Sequence, residues 1–312
     1  MRFAVIGAGG VGGYFGARLA SSGEDVMFTA RGAHLEAMQH GGLHVIAPDT
    51  TLHVSPGRCM GSPAEIGPVD TVFFCVKSYD TERAAAALTP LLHASTVIIS
   101  LQNGIDNEDT LRRVLPGSTV FGGVAYIYST ISRPGEVTVA AGPRKIVFGP
   151  VDGTTRDRAR ALEIRDVCSR AGITAEVPTD IIAALWRKFI FITGAGGITA
   201  LTRLTLGEIL AVNQTKDLLA DAMRETAAVA RAQRVEVEDR YVESVFDTLA
   251  RFSNTTRSSL YYDLERGKPL EIEALAGTVV RLGAAHGIPT PVNRTVYASL
   301  LPYHLHNSEI IP

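Results

Sequence analysis

The sequence predicts an α/β protein: an N-terminal, doubly wound parallel sheet followed by a second, all-helical domain. Three observations lead there. Apolar strand-like runs alternate with helical stretches through the first half of the chain, the first run breaks straight into a glycine-rich turn, and only helical periodicity remains after residue 179. With 312 residues the chain exceeds the size at which single cores stop growing, so two domains, 1–179 and 180–312, are expected.

Strands are predicted at Phe3–Ile6, Asp25–Thr29, Thr71–Val76, Thr96–Ser100, Ser118–Tyr128 and Lys145–Phe148, with helices at Val11–Ser21 and Asp80–Leu92. The segment Gly135 to Gly149 carries short strands separated by Gly and Pro and is expected to add antiparallel strands at one edge. Thr154–Ala171 follows as a helix and Ile173–Val177 as a last strand, and Thr179 is the expected N-cap of the second domain. Beyond it, helices are predicted at Ile181–Leu201, Leu206–Arg234, Glu236–Phe252 and Glu271–His286, with a terminal helix after Pro291. Ile272, Leu275, Val279 and Leu282 fall on one face of the fourth.

The turn after the first strand, Gly7-Ala8-Gly9-Gly10-Val11-Gly12, has the G-x-G-x-x-G spacing of a Rossmann-type dinucleotide site. Gly7 permits a tight turn, Gly9 lets the backbone approach a pyrophosphate, and Gly12 lets the helix pack close on the strand. The diphosphate is expected at the helix N-terminus, where free N–H groups and the dipole favour an anion. Nineteen residues beyond Gly12, where an NAD site normally places an acid, the chain has Phe28-Thr29-Ala30-Arg31-Gly32. Arg31 suits a 2′-phosphate or an adenine face, so NADP(H) is the expected cofactor, although a solvated surface arginine would look the same. Lys77 follows a buried-looking strand, at the sheet end where such folds bind ligands. Asn103, in Leu101-Gln102-Asn103-Gly104, stands at the end of the next, either bridging cofactor and substrate or serving as a plain Asn-Gly turn.

The formal net charge of −2, with no basic run, gives no reason to expect nucleic acid or a membrane surface as partner. Cys59, Cys75 and Cys168 are too few and too scattered for a disulfide framework or a metal site, so a reducing, cytoplasmic setting is expected. The uncharged stretches Val114–Ser132 and Phe189–Thr202 are interrupted or too short to span a bilayer. In the second domain Lys188, within Trp186-Arg187-Lys188-Phe189, is flanked by apolar side chains. Partial desolvation would lower its pKa and make it a proton donor near neutrality, whereas a snorkelling lysine would remain a surface group.

Taken together, the glycine turn, Val76-Lys77-Ser78, Leu101-Gln102-Asn103-Gly104, Trp186-Arg187-Lys188, Arg257-Ser258-Ser259-Leu260, Glu271-Ile272-Glu273 and His286-Gly287-Ile288-Pro289-Thr290-Pro291 resemble the ketopantoate reductase (2-dehydropantoate 2-reductase) family over nearly the whole chain. The resemblance implies NADPH-dependent reduction of a 2-oxo acid on the route to pantothenate, a small-molecule substrate, and leaves a homodimer open. It implies that Lys188 is the proton donor, Glu271 the essential glutamate beside it, Ser259 a ligand of the substrate carboxylate, Lys77 and Asn103 cofactor contacts, and Arg31 the source of NADPH preference. One departure stands out: where the family carries asparagines, this chain has Ile192, Gly196 and Leu206. The amides that contact a small hydroxylated acid are thus replaced by apolar groups, and an altered pocket is expected, unless Thr193, Thr199 or Tyr262 takes over. Two rivals remain: an enzyme like the 3-hydroxyisobutyrate and 6-phosphogluconate dehydrogenases, against which Ile192 argues, and a silent NADP(H)-binding sensor.

Overall fold

In a computed structural model describing residues 1–249 and 254–310, the chain divides into two compact units. One comprises Met1–Gln102 with Asp106–Ala184, the other Asn103–Ile105 with Leu185–Pro312.

The first unit carries strands β1 (Arg2–Ile6), β2 (Asp25–Thr29), β3 (Leu43–Ala47), β4 (Thr50–Val54), β5 (Cys59–Met60), β6 (Thr71–Phe74), β7 (Val97–Ser100), β8 (Thr119–Tyr126), β9 (Ser129–Arg133), β10 (Glu136–Val139), β11 (Lys145–Pro150) and β12 (Thr174–Glu176). Eight form a sheet in the order β12-β11-β8-β7-β6-β1-β2-β5, parallel throughout except where β8 and β11 pair antiparallel. β6 and β7 are buried at every position, as strands covered on both faces should be. From β1 the chain winds outward to β2 and β5 on one side and to β6, β7 and β8 on the other, so the order reverses at β1/β6. The carboxyl ends of those two strands therefore flank the crevice where open α/β sheets bind ligands.

The segment 135–149 meets the expectation in part, since β11 pairs antiparallel with β8 near one edge of the main sheet. β11 enters the main sheet between β8 and β12, whereas β10 joins a separate four-stranded sheet, β4-β3-β10-β9, whose strands pack on the helix Gly10–Ser21. The hairpin β3–β4 and the helix Gly32–Gly41 were not foreseen. The predicted helix Asp80–Leu92 is broken into a short helix, Thr81–Ala86, flanked by 3₁₀ turns at Ser78–Asp80 and Thr89–Leu91, the second opened by Pro90. Thr154 caps the helix Thr155–Arg170 reciprocally with Asp157.

Among the described residues from 185 onward there is no strand. The helix Ile181–Thr202 is capped by Asp180, whose Oδ1 accepts from the Ala183 N–H at 3.0 Å, rather than by Thr179. By length and composition alone it is long and apolar enough to cross a membrane, but two thirds of its most apolar stretch is buried within the fold, as in a core helix. The predicted helix Leu206–Arg234 is split at Val212 into Leu206–Ala211 and Asn213–Ala232, and the short helix Ser259–Glu265 is additional. The predicted Glu236–Phe252 forms from Tyr241, and its last three positions lie outside the described residues. Glu273–Gly277 is a π-turn leading into the helix Thr278–His286, and Pro291–Asn307 closes the fold.

Candidate active site

The predicted functional residues form two sets, one in each unit. In the first, Gly7 adopts φ +94°, and a Cβ there would stand 3.0 Å from the backbone of Cys75 and Val76. A Cβ on Gly12 would stand 2.3 Å from the Gly7 carbonyl and 2.7 Å from Val5 Cγ1, so the helix Gly10–Ser21 docks on β1 only with glycine there. Gly9 is different: a Cβ on it would meet nothing within 4 Å, so internal packing does not demand a bare backbone there. Gly9 is also the N-cap of that helix, with no side-chain cap and no acid in the first turn. Open space beside uncapped N–H groups fits a dinucleotide diphosphate.

His34 supports this loop, a role that the sequence did not suggest. Its Nδ1 accepts the Gly135 N–H at 3.0 Å, which leaves the proton on Nε2 to donate to the Ala8 carbonyl at 2.9 Å. Gln102 is a second unforeseen support. Buried behind the sheet ends, its amide donates to Val76 O at 3.0 Å and to Thr81 Oγ1 at 2.7 Å, tying the loop after β6, which carries Lys77, to the loop after β7, which leads to Asn103. Lys77 and Asn103 are both half-buried, and Asn103 clusters with the second unit.

Arg31 stands at the N-cap of Gly32–Gly41 with its side chain 65% exposed and ion-paired to Asp80. The end of β2 thus lacks an acid of its own, as predicted, but acquires one from 49 residues away.

In the second unit Arg187 and Lys188 diverge. Arg187 turns outward to Glu238, 2.6 Å away, whereas Lys188 is half-buried beside Trp186 and Phe189, whose rings meet edge to face at 5.5 Å. Burial lowers the Lys188 pKa to about 8, and the negative charge of Glu271 opposes that fall. Glu271 is only 5% exposed and sits just before the π-turn. The preceding Leu270 N–H donates to His304 Nδ1 at 3.1 Å, which anchors this backbone, and burial lowers the His304 pKa.

Ile192 and Gly196 follow Lys188 at one and two helical turns, on the same face. A Cβ on Gly196 would meet nothing within 4 Å, so a side chain at this position would start into open space. Leu206 is buried at the start of its helix. Thr193 cannot replace these amides, because its hydroxyl is spent on Phe189 O and Thr226 inside the core. Thr199 is likewise engaged, with Ala195 O and with Ser258 Oγ, both at 2.7 Å. Tyr262 is exposed and stacks under Arg266. Ser258 caps the helix Ser259–Glu265 through the Tyr261 N–H, which leaves Ser259, exposed at the first helical position, as the serine outside the capping network.

Patterns described as "Ketopantoate reductase PanE/ApbA" and "Ketopantoate reductase PanE/ApbA C terminal" match residues 3–153 and 180–304. The chain belongs to the ketopantoate reductase family. Among its relatives, an uncharacterized oxidoreductase, YkpB, of Bacillus subtilis is 32% identical over 97% of this chain and 99% of its own length. A 2-dehydropantoate 2-reductase of Archaeoglobus fulgidus is also 32% identical, over 95% of each chain. The crystal structure of a family member from Ralstonia eutropha superposes with a TM-score of 0.89 at 33% identity, covering 99% of this chain and all of the other. The two-domain α/β architecture and oxidoreductase class are those of the family.

Proposed function

We propose that this chain is an NADPH-dependent reductase of a 2-oxo acid or related ketone whose side chain is more apolar than that of ketopantoate. The observation that carries the reading is Lys188: a lysine with its pKa lowered to about 8, under the charge of Glu271, on the same helix face as Ile192 and Gly196. When bound, the nicotinamide cofactor supplies the hydride. The backbone of Gly7, Ala8, Gly9, Gly10, Val11 and Gly12 would hold its diphosphate, Arg31 its 2′-phosphate, and Lys77 and Asn103 its remaining polar groups.

Lys188 Nζ donates a proton to the oxygen of the ketone as negative charge develops there. With a pKa of about 8 the amine is roughly 90% protonated at pH 7, yet it releases a proton far more readily than an exposed lysine. Glu271 keeps the ammonium from losing its charge outright. Ser259 offers its hydroxyl to the substrate carboxylate, and Asn103 a further polar contact. Each family amide replaced by Ile192, Gly196 or Leu206 withdraws a hydrogen bond of about 1–3 kcal/mol from a polar substrate buried there. NADPH oxidation assayed against a panel of 2-oxo acids, from ketopantoate to bulky aliphatic and aromatic ones, tests the reading, and turnover of none of them with NADPH would overturn it.

A further inference from the structure

The loop after β6 brings a second arginine to the carboxylate that Arg31 contacts. Asp80 Oδ2 pairs with Arg31 Nη2, while Oδ1 pairs with Arg83 Nη2 and lies 3.5 Å from Arg31 Nη1. Asp80 itself is 8% exposed, whereas the arginine side chains are 65% and 69% exposed. The turn that presents Asp80 is fixed from beneath: its N–H donates to Lys77 O at 2.8 Å, and Thr81 lies 2.8 Å from Ser78 O while accepting from buried Gln102. Glu82, the other acid beside Arg83, is engaged by Arg113 at 3.1 Å.

Two guanidiniums on one carboxylate leave a net positive charge, and each keeps donors facing solvent. Both Asp80 oxygens are occupied by arginine, so this acid is poorly placed to accept the free ribose 2′-hydroxyl by which NAD sites identify their cofactor. A phosphate monoester brings about −1.5 to −2 charges and three acceptor oxygens, more than one arginine already shared with a carboxylate can balance.

The geometry points to Arg83 as a second arginine of the 2′-phosphate site, with Asp80 as the positioning residue that aligns Arg31 and Arg83. This rests on the NADPH reading above. Isothermal titration of NADP⁺ and NAD⁺ into the wild type, Arg31→Gln and Arg83→Gln tests it without any substrate. The expected result is that each substitution weakens NADP⁺ binding about tenfold or more and leaves NAD⁺ within about twofold. If Arg83→Gln binds NADP⁺ as tightly as the wild type while Arg31→Gln does not, Arg83 is only a counter-ion of Asp80; the inference fails and the NADPH reading stands. Equal weakening of both cofactors by Arg83→Gln would point to damage to the turn and also overturn it. Equal affinity of the wild type for both cofactors would remove the NADPH reading and this inference together.

Discussion

The glycine turn of the first unit and the lysine helix of the second differ in what their side chains leave open. In the turn, Gly7, Gly10 and Gly12 are each demanded by neighbouring atoms within 3.0 Å of an added Cβ, and Gly9 alone faces open space. In the helix, Gly196 faces open space beside Ile192, where the family pattern would place amides, while Lys188 and Glu271 remain coupled. Space at Gly9 fits a diphosphate that any dinucleotide presents. On the reading proposed above, space at Gly196 bears instead on which substrate fits, and the proton donor would persist while its surroundings change.

The largest effect expected from perturbing this contrast is at Lys188. Lys188→Ala should lower kcat by about 10²–10⁴-fold while NADPH affinity, measured by titration, stays close to wild type. Within the turn, one enclosed and one open glycine separate packing from binding. Gly12→Ala should cost about 1–3 kcal/mol of stability in denaturant melts, since its Cβ meets backbone, whereas Gly9→Ala should melt like the wild type and lose cofactor affinity. If Gly9→Ala binds the dinucleotide unchanged, the open face does not receive the diphosphate.

Restoring an amide in the second unit is expected to act in the opposite direction. Gly196→Asn has open space at its Cβ and should raise kcat/KM for ketopantoate by about tenfold, the value of one buried hydrogen bond. The smallest effect is on the pH profile. Lys188 acts as an acid only when protonated, so the rate of ketone reduction should fall as pH rises through about 8, by no more than about tenfold per pH unit. A profile flat from pH 7 to 9.5, with chemistry rate-limiting, would remove Lys188 from that role.

What the sequence made legible follows from local physics. β1, β6 and β7 stand out because strands buried on both faces are continuous apolar runs, and the glycine turn because its spacing serves backbone geometry rather than side-chain partners. Lys188 stands out as a charge flanked by apolar side chains, although it is the family resemblance, not the flanks, that sets it apart from a snorkelling surface lysine. His34 does not stand out, because its significance depends on Gly135, 101 residues away. Asp80 was hidden for the same reason, since nothing near Phe28-Thr29-Ala30-Arg31 indicates that the loop after β6 will bring an acid to it. The helix Ser259–Glu265 has only seven residues, too few for periodicity to register, and the π-turn after Glu271 has no sequence pattern distinct from that of an α-helix.

Steady-state kinetics with NADPH on two substrates separates a retained reductase chemistry with a shifted substrate from an ordinary ketopantoate reductase. The expected kcat/KM for ketopantoate is below about 10⁴ M⁻¹s⁻¹, with a value at least about 30-fold higher for a 2-oxo acid with a bulky apolar side chain. Ketopantoate turned over within the ordinary enzyme range of about 10⁴–10⁸ M⁻¹s⁻¹, and faster than the apolar acid, would contradict a shifted substrate.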